Sequence, residues 1–315
     1  MKHLLFILLL PISLSFQAQA AAATYYISPT GSDFAGGRSE ASPWRSFQQA
    51  FGSKSGGDEL ILLDGVYSID SGTGYISSDE GSSQPPSGRG PGAMTVVRAK
   101  NEGRVIIDGK LFLGGTKHKV SYIKIQGITF EGGGRLFNTS YITIKNCGFH
   151  SDTMSGGAVF SIGTNDHTQG NTNNLIEDCW IWGQERVIAI NYRADYNIWR
   201  RVVIRGDGCN SGACTGSGNP NVGFSVYESK YNSIQNMLVI DRVLDGGFGY
   251  AAFATAEHSD GSYALGPNEW LGCVALNNDD TGFYFEADNA NESTHTLRDI
   301  VAWDNGGVNV NIGAQ

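Results

Sequence analysis

From residue 120 onward one short phrase recurs, and its recurrence limits the chain to a small set of folds. It reads Ile125-Gln-Gly-Ile-Thr-Phe130, then Ile144-Lys-Asn-Cys-Gly-Phe149, Ile176-Glu-Asp-Cys-Trp-Ile181 and Trp199-Arg-Arg-Val-Val-Ile204. Ile234-Gln-Asn-Met-Leu-Val239, Trp270-Leu-Gly-Cys-Val-Ala275 and Leu297-Arg-Asp-Ile-Val-Ala302 continue it. The grammar is apolar, polar, a third residue that is usually Asn, Asp or Gly, apolar, variable, apolar. Apolar residues alternating with period two bury one face of a strand. Asn, Asp and Gly tolerate the left-handed backbone that other side chains resist, so the third position marks a corner between two short strands.

Successive third positions, from Gly127 to Asp299, are 19, 32, 23, 35, 36 and 27 residues apart. Spacings of this size mean stacked units that bury their cores only against neighbours. A 19-residue coil of strands is near the minimum, so the longer copies are that coil plus loops, which tend to gather on a binding face. The irregular length argues against propellers and leucine-rich repeats. What survives is an all-β chain, a right-handed parallel β-helix. Composition agrees: 43 glycines in 315 residues, with 17% charged, suit many short strands joined by many turns. Helical signals are scarce. Pro43 to Phe51 places Trp44, Phe47 and Phe51 on one helical face, and a short helix there is expected to cap the first coil.

Both ends carry signals of their own. Lys2 and His3 precede an apolar run from Leu4 to about Leu14, and Ala18-Gln19-Ala20 supplies small residues for cleavage. Residues 1–20 therefore read as a signal peptide and 21–315 as one β-helix domain, secreted or periplasmic and expected to be a monomer. No later run approaches the 18 apolar residues that membrane insertion would need. At the other end Val308-Asn-Val-Asn-Ile312 reads as a strand, and the chain stops three residues later. That reads as truncation at the C-terminus, or as an end capped by a partner or an internal loop. Cys209 and Cys214 enclose a small loop and suit a disulfide in an exported protein, whereas Cys147, Cys179 and Cys273 sit in apolar strand patterns as buried thiols. A formal charge of −9 disfavours nucleic acid as a partner.

Tyr25-Tyr-Ile-Ser-Pro-Thr-Gly-Ser-Asp33, Pro43-Trp44, Phe47, Gly57-Asp-Glu-Leu-Ile-Leu-Leu-Asp-Gly-Val-Tyr67 and Val105-Ile-Ile-Asp-Gly109 together resemble the opening of exported pectate-lyase-like β-helix proteins. That group includes polysaccharide lyases of the pectate and the alginate or chondroitin types. The resemblance implies a partner that is an acidic polysaccharide, cleaved by β-elimination with Lys or Arg as base and Ca²⁺ on the uronate carboxylate. Function must nevertheless be argued from a site rather than from a fold. A noncatalytic glycan-binding or adhesin-like β-helix and a glycoside hydrolase remain open; the latter needs two carboxylates, for which Asp207, Asp241, Asp245, Asp279 and Asp280 are available.

Candidate chemistry concentrates in three stretches. Arg186, Arg193, Arg200, Arg201 and Arg205 fall close together, and Arg193, Arg200 and Arg205 are expected to hold uronates unless they are a solvated face paired with Glu185 and Asp195. Ser229-Lys230 resembles the catalytic lysine segment of alginate and chondroitin lyases, which implies Lys230 as base and Arg242 as its partner. Those families place paired Glu just before that lysine, where this chain has Gly223, Phe224 and Ser225 and only Glu228 is acidic. Asn277-Asn-Asp-Asp-Thr-Gly-Phe-Tyr-Phe-Glu286 resembles a calcium-binding stretch of one pectate lyase group. It implies Asp279, Asp280 and Glu286 as ligands, with Thr281 and Tyr284 standing where that pattern has Asp. His258, on the long loop between Asp245 and Trp270, is a further candidate substrate contact. Trp180 and Trp182 share one strand face, either the core or an outward stacking surface.

Overall fold

The structure, a computed structural model, describes residues 22–78, 83–153, 157–163, 170–207, 221–243, 251–256, 265–287 and 295–314. His258, Asp245, Cys209, Cys214 and the first 20 residues lie outside them. Among the described residues three sheets hold ten, nine and eight strands, and every pairing between their strands is parallel. One coil takes a strand from each in turn: Val120–Gln126 in the first sheet, Ile128–Phe130 in the second and Gly134–Phe137 in the third. Thr139–Lys145 then lies back on Val120–Gln126 and opens the next coil. The molecule is a parallel β-helix.

Register explains the recurring phrase. Its first residues stack through the first sheet as Ile125, Ile144, Ile176, Trp199, Ile234, Trp270 and Leu297. Its last residues stack through the second as Phe130, Phe149, Ile181, Ile204, Val239, Ala275 and Ala302. The third sheet contributes Phe160, Ala189, Phe224, Phe253 and Phe283. Ring pairs such as Phe149–Phe160 at 4.5 Å and Trp199–Phe224 at 4.9 Å fill the interior, each adding about 1 kcal/mol beyond area burial.

All seven third positions have left-handed backbone, with φ between 49° at Asn236 and 74° at Gly127. Arg201 does so at φ 52° with no special tolerance for it; its bidentate pair to Asp178, at 2.6 and 3.0 Å, ties it in place. Cys147, Cys179 and Cys273 follow such corners as buried free thiols. Burial pushes the Cys147 thiol up to about 12, so it serves as a small apolar filler.

A second ladder closes the corner between the third and first sheets. The Ile142 amide donates to Asn174 Oδ1 at 3.0 Å, and the Asn174 amide to Asn197 Oδ1 at 2.9 Å. Asn197 donates to Asn232 at 2.8 Å and Asn232 to Asn268 at 3.0 Å. Each amide side chain thus satisfies a buried backbone donor one coil away.

The helix forms later than the sequence pattern suggests, at Phe47–Ser53, because Ser46 is its N-cap and accepts from the Gln49 amide at 3.1 Å. Trp44 is instead held in extended chain, its amide bonded to Tyr26 and its carbonyl to Ser28. Trp44 still packs in the core, stacked on Tyr25 at 5.0 Å. No helix among the described residues is long and apolar enough to cross a membrane.

Candidate functional site

The arginines that the sequence offered for substrate are each paired with a carboxylate, Arg193 and Arg200 on a neighbouring coil and Arg205 within its own. Arg193 pairs with Glu228, whose side chain is wholly buried. Arg200 Nε lies 2.7 Å from Glu177 Oε1, and Arg201 and Lys145 reach the same carboxylate at 2.7 and 2.9 Å. Burial alone would raise the Glu177 carboxyl, but bonds from Lys145, Arg200 and Arg201 outweigh it and hold it below its ordinary range. Arg205 is bidentate to Asp207 at 2.7 and 3.1 Å. These three are structural ion pairs first. Arg205 and Asp207 are both partly exposed, so Arg205→Ala is expected to cost under about 1 kcal/mol in denaturant unfolding.

Lys230 and Arg242 do not meet. Lys230 lies on the corner after the third-sheet strand Val222–Tyr227, its amide donating to Asp195 Oδ1 at 2.9 Å. Arg242 lies on the corner that leads into that sheet, wholly buried, with Nη1 donating to the Asn221 carbonyl at 3.2 Å. Burial lowers its guanidinium to about 10 against the pull of Asp280 and Asp279, so it stays charged inside the wall. The six residues of Val222–Tyr227 separate the two corners, roughly 20 Å of extended chain. Arg242 is therefore no proton-handling partner of Lys230.

The proposed calcium ligands part in the same way. Asp280 precedes and Glu286 nearly ends the seven-residue strand Thr281–Ala287, about 20 Å apart. Asp280 Oδ1 accepts from the Thr281 amide at 2.8 Å, a carboxylate capping its own backbone. Ca²⁺ needs six to eight oxygens around one point, and Asp279, Asp280 and Glu286 do not fit such a site. No cluster of three or more His, Cys, Asp or Glu placed to hold a metal occurs among the described residues.

A different set of cations converges on the outer face of the third sheet. Lys110, Arg135 and Arg186 line a groove of about 570 Å³ with Ser161, Ile190 and Tyr192, and no carboxylate is among the lining residues described. Alternation puts them there: Leu136 is buried in the core, so Arg135 beside it points out. Its guanidinium sits 5.5 Å from the Phe112 ring and 5.3 Å from that of Phe137, which steadies it. Gly132, Gly134, Gly157 and Gly163 are also among the groove's lining residues. Gly163 has φ 99°, and a Cβ there would lie 1.8 Å from the Tyr192 carbonyl oxygen. Tyr192 forms one end of the groove and stacks on Tyr227 at 4.8 Å. Burial raises both phenols, that of Tyr227 to about 12 with Glu228 adding to the shift, so both carry their protons at neutral pH.

No protein-family model and no curated relative matches the chain. Solved structures do. An alginate lyase from Paenibacillus sp. str. FPU-7 is similar at TM-score 0.53 and 12% identity, covering 84% of this chain and 96% of that one. Pectate lyase Pel9A is similar at TM-score 0.50 and 15% identity, covering 91% of this chain and 80% of that one. The fold is the pectate-lyase-like parallel β-helix. At such identities the likeness is one of architecture, and the chemistry rests on this chain's own side chains.

Sequence reasoning passed over two parts of this β-helix wall. Lys110 and Arg135 lie outside the arginine-rich stretch, and only the inward Leu136 signals that Arg135 faces out. On the second sheet His150 stacks on Trp182 at 5.1 Å, with Nδ1 at 2.8 Å from Glu131 and Nε2 at 3.1 Å from Asp152. The Glu131 contact joins residues 19 apart, the length of the shortest coil in the repeat.

Proposed function

We propose that this chain is an exported, carbohydrate-active β-helix protein that holds an acidic polysaccharide in the third-sheet groove and cleaves it by β-elimination. The observation that carries the reading is the groove itself: three cations, no carboxylate among its described lining, and a protonated phenol at one end. Guanidinium and ammonium groups pair with uronate carboxylates and stabilise the charge that develops beside them. In the elimination, the Lys230 amine takes the proton next to the uronate carboxylate. That electron pair becomes the ring double bond, the glycosidic C–O bond breaks, and Tyr192 protonates the leaving oxygen. Lys230 suits the role by position, three residues past Tyr227, the stacking partner of the groove's Tyr192.

The test is ultraviolet absorbance of the mature protein with pectate, alginate and chondroitin, each with calcium and with chelator. Only elimination creates the conjugated double bond. Arg135→Ala and Arg186→Ala are each expected to lower kcat/KM by about tenfold to a hundredfold, chiefly through KM. Lys230→Ala should abolish the signal. No absorbance change on any polymer would sink the lyase reading, and unchanged KM in both arginine variants would remove the groove from it. The separation of Lys230 from Arg242 favours a noncatalytic glycan binder as second reading, and it predicts binding without absorbance.

A further inference from the structure

The second sheet carries another groove, of about 650 Å³, that the elimination reading does not use. Its wall is Trp180, exposed by 42%, and its lining includes Thr129, Gly148, Trp182, Asp178 and Arg201. Ile181 turns into the core, so Trp180 and Trp182 both point outward. The residue paired with Trp180 on the preceding coil is Gly148, so no side chain at that position covers the indole. Trp182 stacks on His150, and its ring edge reaches back towards Gly148. An added Cβ there would meet that edge at 3.3 Å and the Thr129 hydroxyl at 3.2 Å, so Thr129 and Trp182 bound the gap beside the Trp180 indole. Other outward rings are used up by stacking on each other, Tyr122 on Tyr141 at 4.8 Å and Tyr196 on Tyr231 at 5.0 Å. Trp180 makes no ring contact of that kind among the described residues.

We propose that this groove binds a neutral sugar unit of a polysaccharide, its C–H face on the Trp180 indole. A large flat aromatic face beside a gap, with hydrogen-bonding groups at its edge, matches a pyranose ring that is apolar on its faces and hydroxylated at its rim. The rim decides against a uronate. Asp178 and Arg201 face the groove as a closed bidentate pair at 2.6 and 3.0 Å, so they offer donors and acceptors to hydroxyls without a net positive charge. The site lies on a different wall from the cationic groove and does not depend on it. One molecule can therefore hold a neutral polymer on the second sheet while an acidic one occupies the third.

The test uses the whole mature protein in native gels containing mixed-linkage β-glucan, galactomannan or soluble amylose, with pectate and alginate beside them. Retardation is expected in at least one neutral gel. Trp180→Ala should weaken it by about tenfold and Trp180→Phe by less, while Arg135→Ala leaves it unchanged. A second readout needs no variant: N-bromosuccinimide oxidation mapped by peptide mass spectrometry, where the retarding polymer should protect Trp180 but not the 70% exposed Trp303. The proposal fails if no neutral gel retards the protein, if only pectate or alginate does, or if Trp180 is oxidised equally with and without polymer.

Discussion

Asn232→Ala is expected to lower the unfolding free energy by about 3 kcal/mol, a large effect for one uncharged side chain. Asn232 is 1% exposed, and its Oδ1 accepts from the Asn197 amide at 2.8 Å. Its Nδ2 donates to Asn268 Oδ1 at 3.0 Å and to the Lys230 carbonyl at 3.2 Å. Alanine leaves the Asn197 N–H buried without an acceptor, and such a group costs about 1–3 kcal/mol before the other lost bonds are counted. Asn173 is the control, an exposed residue at φ 59° on the same corner. Asn173→Gly should change stability by under about 0.5 kcal/mol. Denaturant unfolding gives both values, and hydrogen exchange at the Asn197 amide should quicken in Asn232→Ala alone. A loss under about 1 kcal/mol, or unchanged exchange at Asn197, would mean that the ladder does not hold this corner.

The repeat made this architecture legible because its cause is local: period-two burial and a left-handed corner are written within six residues. The amide ladder is also present in the sequence, though only in the spacings. Asn174, Asn197, Asn232 and Asn268 are 23, 35 and 36 residues apart, matching the intervals among Asp178, Arg201, Asn236 and Gly272. The same offsets pair Arg200 with Glu177 and Arg193 with Glu228, 23 and 35 residues apart. A cluster of arginines read along the chain looks like a binding surface. Across coils Arg193 and Arg200 find their carboxylates one turn away, and that depends on the length of intervening loops rather than on local pattern. Lys230 and Arg242 show the converse, since twelve residues in sequence put them on different corners of the wall. The cationic groove was hidden for the same reason: Lys110, Arg135 and Arg186 lie 25 and 51 residues apart, and stacking alone gathers them.

The sharpest pH dependence expected of this fold lies at His295. It stands 27 residues after Asn268, the interval between Gly272 and Asp299, and so occupies the next position of the amide ladder. Its Nδ1 accepts from the Asn268 amide at 3.2 Å, which an imidazolium cannot do. Burial lowers its pKa from 6.5 to about 4. Above the unfolded value both states are neutral and the group contributes nothing to pH dependence. As pH falls from 6.5 towards 4 the unfolded chain takes up a proton that the folded chain refuses, so stability drops, by at most about 3 kcal/mol. The paired carboxylates act lower. Glu177 and Asp178 have depressed values, so their contribution persists through this window and is lost only as pH falls through their folded pKa values. His295→Asn supplies an uncharged acceptor at the same rung. It should therefore be as stable as the parent at pH 8 and more stable at pH 4.5, by about 2–3 kcal/mol in denaturant unfolding at each pH. If the two proteins lose stability in parallel between these pH values, His295 is not the group that takes up the proton, and the ladder ends at Asn268.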